Sequence, residues 1–103
     1  MEKIIHFMNK DGYESMSVYE KKCIATFQNL NPSFEIKYWS NKELDYFMKT
    51  YFTHYYNDWI NNKHGCRGNL KKWDTVRLCI IYIHGGFYAD NDCTNLLSFV
   101  HLI

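Results

Sequence analysis

Arginine is scarce in this chain of 103 residues: Arg67 and Arg77 are the only two. The basic doublets Lys21-Lys22 and Lys71-Lys72 fit solvated helix faces, and the formal net charge is only +1. A nucleic-acid binder carries a basic stripe, and this chain has none. Long apolar runs are also missing. Leu78 to Ile83 and Leu96 to Ile103 are far too short to cross a bilayer, and neither a secretory leader nor a lipid-anchor motif is visible. The four cysteines (Cys23, Cys66, Cys79 and Cys93) form no Cys-x-x-Cys and no tight zinc spacing. Cys23 and Cys79 fall within apolar helical patterns and read as buried free thiols. Reduced cysteines and the absence of a leader point to the cytoplasm or a cytosolic membrane face. Internal repeats, linkers and low-complexity tracts are absent as well.

What the chain does have is apolar and aromatic mass. Hydrophobic residues make up 47% and aromatics 18%, with nine tyrosines and three tryptophans. That composition folds, and the length suits one small domain spanning residues 1–103. The aromatic rings serve core and rim packing or stacking on a base or sugar.

The pattern of elements alternates. Lys3 to Met8 reads as a buried strand, closed by Asn9-Lys10-Asp11-Gly12. Ser17-x-x-Glu20 is a capping box that opens a helix to about Leu30, with Val18, Cys23, Ile24, Phe27 and Leu30 near helical period. Asn31-Pro32 stops it. Phe34 to Trp39 alternates as a second strand, with Phe34, Ile36 and Tyr38 on one face. A second capping box, Ser40-x-x-Glu43, opens a helix with Leu44, Phe47 and Met48 inward, and Tyr51 to Ile60 reads as helix too. Asn61 to Gly68 reads as loop, Asn69 to His84 as a helix ended by Gly85, and Gly86 to Ala89 as a third strand. Strands alternating with helices predict an α/β fold with a mostly parallel sheet flanked by helices. In such sheets ligands sit at the carboxyl ends of the strands. Phe7, Met8 and Asn9 at the end of the first strand would then face Asp90 and Asp92 at the end of the third.

Asp90-Asn91-Asp92 is the most telling segment. On an extended backbone Asp90 and Asp92 point the same way, roughly 6–7 Å apart. Paired carboxylates repel unless a cation relieves them. A hard divalent ion, Mn²⁺ or Mg²⁺, takes oxygen ligands and bridges phosphates. Upstream stand Asp74 and Arg77, one helical turn apart, then Gly85-Gly86 and Tyr88.

In order, Lys3-Ile4-Ile5-His6, Asn31-Pro32-x-Phe34-Glu35-x-Lys37-x-Trp39, Asp74-x-x-Arg77 and Gly85-Gly86-x-Tyr88-x-Asp90-x-Asp92 resemble the glycosyltransferases with a DXD sugar-binding motif. That group includes the fungal initiating α-1,6-mannosyltransferases and, more distantly, the glucosylating bacterial toxins. Glu2 and Asn9 stand where family members usually carry Pro and Trp. The resemblance implies a GT-A nucleotide-diphosphate-sugar fold, here a small or truncated, donor-binding N-terminal part. It implies retaining, metal-dependent transfer of a sugar from a UDP- or GDP-sugar to a hydroxyl of a glycan or protein acceptor. By position it makes Asp92 the direct ligand of Mn²⁺ or Mg²⁺ and gives Asp90 the donor sugar and a water-mediated hold on the metal. On this resemblance Asp90 and Asp92 would be the catalytic pair. Asp74, Arg77, Gly86, Tyr88 and Asp90 would hold the donor.

Blander readings stand beside each role. Asp74 and Arg77 make a surface ion pair, Tyr88 a core ring, His6 a packed histidine and Gly85-Gly86 a helix end. Asp90-x-Asp92-x-Thr94 also fits a dehalogenase-type phosphatase, but there the motif ends the opening strand. An EF-hand fails at Asn95 and His101. A zinc site of His64, Cys66, Cys93 and His101 matches no ligand spacing. The main rival is a non-catalytic remnant that binds donor or a protein partner and transfers nothing.

Overall fold

The computed structural model describes residues 2–61 and 69–91, with backbone alone at 69–71. Strand β1 (Ile4–Met8) pairs in parallel with β2 (Glu35–Trp39) and with β3 (Phe87–Tyr88), giving the order β2-β1-β3. The register runs from Ile4 opposite Glu35 to Met8 opposite Trp39, and from Ile5 opposite Phe87 to His6 opposite Tyr88. The expected α/β architecture, a small parallel sheet flanked by helices, is what forms.

The central strand explains the layering. Ile5 and Phe7, both fully buried, face one way, into a cluster with Met16, Ile24, Phe27 and Phe34, with Ile36, Tyr38 and Phe87 packed on it. His6 and Met8 face the other way, where Trp39 joins Leu44, Phe47, Met48, Trp59, Val76 and Ile80. A strand covered on both faces needs a continuous apolar run instead of alternation, and Ile-Ile-His-Phe-Met is nearly that.

Helix α1 (Val18–Leu30) covers the first face. Its capping box is fully formed, with Ser17 Oγ accepting from Glu20 N and Glu20 Oε1 accepting from Ser17 N. Cys23, Ile24 and Phe27 are buried as expected, but Val18 is 71% and Leu30 37% exposed. Asn31 takes the inward place after Phe27, buried, with its Nδ2 donating to Phe27 O at 2.9 Å. The local hydrogen bond allows a polar side chain there.

Helices α2 (Asn41–Tyr51), α3 (Tyr56–Asn61) and α4 (Asn69–His84) cover the second face. The Ser40/Glu43 capping box forms as well. One expectation changes: residues 51–60 are not a single helix. The chain leaves α2 at Phe52, and Thr53 Oγ1 donates to Lys49 O at 2.9 Å, closing the last turn of α2 before α3 begins. The loop expected at 61–68 lies, beyond Asn61, outside the described residues. Helix α4 stops where expected. Gly85 takes φ +70° and donates its N–H to Ile81 O at 2.8 Å. Gly86 follows at φ +87°, and a Cβ there would run into the Ile4 carbonyl oxygen. Among the described residues no helix is long and apolar enough to cross a membrane.

His6 knits these layers together. Its Nδ1 accepts from Trp39 Nε1 at 3.0 Å. Indole nitrogen only donates, so the proton sits on Nε2, which donates to Gly85 O at 2.9 Å. Burial holds its pKa below the ordinary 6.5. The packed-histidine reading is the correct one.

Candidate active site

At the carboxyl ends of the strands lies a cleft of about 800 Å³. Met8, Asn9 and Lys10 leave β1 along one wall, Tyr88, Asp90 and Asn91 leave β3 beside them, and Trp73, Asp74 and Arg77 come from α4. The starts of α1 and α2 contribute Glu20, Asn41 and Leu44.

Arg77 is its centre. One terminal nitrogen lies 3.4 Å from Asp74 Oδ1, the other 3.8 Å from Asp90 Oδ1, and the guanidinium sits 4.8 Å from the centre of the Tyr88 ring. Both carboxylates are more than half exposed, so these pairs contribute only tenths of a kcal/mol to stability, roughly 0.2–1 each. Arg77 Nε is buried and has no partner among the described residues. A guanidinium with a free donor, two loosely held carboxylates and an aromatic face is set up for a polar ligand. Burial raises the Tyr88 hydroxyl above its ordinary pKa, Arg77 opposes the shift and Asp90 adds to it. Tyr88 therefore stays a neutral donor near pH 7.

Asn91 reaches across the cleft floor. Its Nδ2 donates to Met8 O at 2.7 Å and approaches Glu20 Oε2 at 3.4 Å, while its Oδ1 is buried without a partner among the described residues. Asn9, in the place of the family's usual Trp, donates to Gly12 O and Ser15 Oγ and closes the turn after β1.

The structure thus gathers Asp74, Arg77, Tyr88 and Asp90 in one place. Gly86 is elsewhere: it lies against Ile4, at the opposite end of the strands, where only a glycine fits. Phe7 also leaves the expected crevice, because strand alternation sends it into the α1-side core while Met8 and Asn9 reach the cleft. The extended backbone assumed for the motif ends early: β3 pairs only at Phe87–Tyr88, Ala89 N still bonds His6 O at 3.1 Å, and Asn91 lies in a turn. Asp92 lies outside the described residues, as do Cys66, Cys93 and the other members of the zinc set. Glu20, Asn41, Trp73 and Asn91 were not legible as cleft residues. The capping box marked Glu20, but for α1 alone.

For a divalent cation the donor chemistry fits. Asp90 and Asp74 offer hard oxygen, as Mn²⁺ and Mg²⁺ require, and among the described residues no histidine or cysteine lines the cleft. No group of three or more metal-ligating side chains gathers among the described residues. Mg²⁺-type sites commonly use one or two carboxylates and take the remaining oxygens from phosphate and water.

Comparison with known proteins identifies a family. Residues 17–103 match the family described as glycosyltransferase sugar-binding region containing DXD motif. That stretch holds Asp90-Asn91-Asp92, the chain's one Asp-x-Asp. An uncharacterized glycosyltransferase of Acanthamoeba polyphaga mimivirus is 32% identical over 89 residues, covering 86% of this chain and 34% of that protein. The chain therefore spans about a third of the length of this curated relative. Neither match singles out the fungal mannosyltransferase branch, and no solved structure matches the chain. With the family match covering α1 through the acidic motif, the chain belongs to the glycosyltransferases whose sugar-binding region contains the DXD motif.

Proposed function

We propose that the cleft binds a nucleotide-diphosphate sugar together with Mn²⁺ or Mg²⁺, as the donor half of a retaining glycosyltransferase that transfers the sugar to a glycan or protein hydroxyl. The observation that carries this reading is Arg77, held between Asp74 and Asp90 over the Tyr88 ring, with its Nε unpaired. Asp90, with Asp92, would hold the cation, which when bound neutralises charge on the departing diphosphate. Arg77 donates in a planar fork to oxygens of the donor, and Asp74 accepts from sugar hydroxyls. Tyr88, neutral at pH 7, presents a hydroxyl donor and a ring edge beside them. Met8, Leu44 and Trp73 give the cleft an apolar wall beside these charged groups.

Because the chain covers 34% of its relative, transfer is to be assayed in the 103-residue chain and in any longer natural form. Each is incubated with Mn²⁺ and a panel of UDP- and GDP-sugars, and release of nucleotide is followed. Turnover that disappears in Asp90→Asn supports the transferase. Donor binding without turnover in any form, with any donor, favours the non-catalytic remnant.

A further inference from the structure

Asn91, the middle residue of Asp90-Asn91-Asp92, makes contacts that tie distant segments together. Its Nδ2 faces two acceptors, Met8 O at 2.7 Å and Glu20 Oε2 at 3.4 Å, separated from it by 83 and 71 residues. Neither partner can donate, so the nitrogen must be the atom that meets them, and the amide orientation follows from chemistry. Met8 closes β1, and Glu20 sits in the first turn of α1, where its other oxygen accepts from Ser17 N at 3.0 Å. One amide thus joins the exit of β3 to the end of β1 and to the start of α1. The Ser17 backbone amide holds the Glu20 pKa below its ordinary value, and Asn91 adds to the effect.

The same side chain is a poor device for stability. A hydrogen bond stabilises a fold only modestly in net terms, and an orphaned buried acceptor costs at least as much as one such bond returns. Asn91 Oδ1 is such an orphan among the described residues. Its contribution is to placement. We propose that Asn91 is the positioning residue of the cleft: its amide, latched to the Met8 carbonyl and the Glu20 carboxylate, holds the motif turn so that Asp90 faces Arg77 and the cation. This rests on the reading of the cleft as a cation–diphosphate site.

Two variants of the whole chain separate placement from charge. Asn91→Ala removes the latch. Asn91→Asp also removes it, by setting an anionic oxygen against two acceptors, yet adds negative charge beside the cation. Mn²⁺ is titrated in the presence of UDP or GDP, urea unfolding is measured, and exchange of the Ala89 amide, held on His6 O, is followed by NMR. Both variants should bind Mn²⁺ about 10–100-fold more weakly, the range for lost orientation of a metal ligand. In Asn91→Ala the Ala89 amide should exchange faster while the unfolding midpoint stays near wild type. The proposal is overturned if Asn91→Ala keeps wild-type Mn²⁺ affinity, if Asn91→Asp binds more tightly, or if the stability of Asn91→Ala falls in step with its affinity. Should the wild-type chain bind no Mn²⁺ with either nucleotide, the cation reading of the cleft falls. The latch is then judged on Ala89 alone: faster exchange in Asn91→Ala upholds it, and unchanged exchange overturns it.

Discussion

The sheet carries two polar centres, and they are built on opposite terms. At mid-sheet His6 is buried with both ring nitrogens paired, to Trp39 and to Gly85 O, at 3.0 and 2.9 Å. At the carboxyl ends, Arg77 meets its carboxylates only at 3.4 and 3.8 Å, and Arg77 Nε and Asn91 Oδ1 are buried without partners among the described residues. Proteins satisfy nearly all buried polar groups, so the exceptions call for an explanation. The His6 centre is complete in itself and fastens β1, β2 and the end of α4. The Arg77 centre has spare donor and acceptor capacity, which is what a ligand site needs and what a stabilising network avoids.

The sharpest way to break the contrast is at His6. His6→Ala leaves the Trp39 indole N–H and the Gly85 carbonyl unpaired and opens a cavity. The expected loss is about 3–5 kcal/mol, read by urea unfolding. That is a large part of the roughly 5–15 kcal/mol a domain has. A loss under 1 kcal/mol would show that the mid-sheet network holds little together.

Next in size is Gly86→Ala, where positive φ and a clash with the Ile4 carbonyl combine for about 2–4 kcal/mol. Gly12 has the same φ of +87° but open space around it, so Gly12→Ala should cost clearly less. Equal losses at the two sites would mean that φ alone, and not the close approach of β3 to β1, demands glycine.

Acid should find the same centre. Because burial holds His6 below 6.5, the unfolded chain takes up a proton that folded His6 refuses. Stability is therefore full above pH 6.5 and falls as pH drops from there toward the lowered folded pKa. Denaturant titrations in steps between neutral and mildly acid pH should show that fall, and it should flatten in His6→Gln.

The smallest stability effect belongs to the other centre. Arg77→Lys should leave unfolding within about 0.5 kcal/mol of wild type, since it alters only loose, half-exposed pairs. Binding of UDP or GDP with Mn²⁺ should nevertheless weaken about 10-fold or more, because lysine lacks the planar fork. Unchanged nucleotide affinity would return Arg77 to an ordinary surface ion pair.

These two centres were not equally legible in the sequence. Both capping boxes, the Gly85 helix end and the parallel layering follow from local patterns, and local patterns encode local structure. Asp74, Arg77, Tyr88 and Asp90 were recognisable through the family resemblance, which set them around one donor, whereas placing strand ends together brought only Asp90 and Asp92 to the end of β1. Asn91 and the second use of Glu20 were not recognisable. Their contacts span 71 and 83 residues, and neither spacing nor periodicity carries information over such distances. Phe7 against Met8 shows a finer limit. Both end the same strand, and only the pleat decides which one enters the cleft. The break between α2 and α3 was hidden for another reason: Tyr51 to Ile60 has no glycine or proline to mark a stop, and the chain leaves α2 at Phe52 through local bonds, Tyr55 N to Phe52 O and Thr53 Oγ1 to Lys49 O among them.

Thermal unfolding of the 103-residue chain tests the central claim most directly, with Mn²⁺ alone, UDP or GDP alone, and each nucleotide together with Mn²⁺. A ligand that binds only the folded state raises the midpoint by mass action, by an amount set by its affinity. If the cleft takes a cation and a diphosphate as one unit, one nucleotide with Mn²⁺ will raise the midpoint well beyond the sum of the separate shifts. In Asp90→Asn that excess will vanish. Shifts that merely add, or an excess that survives in Asp90→Asn, would contradict the account.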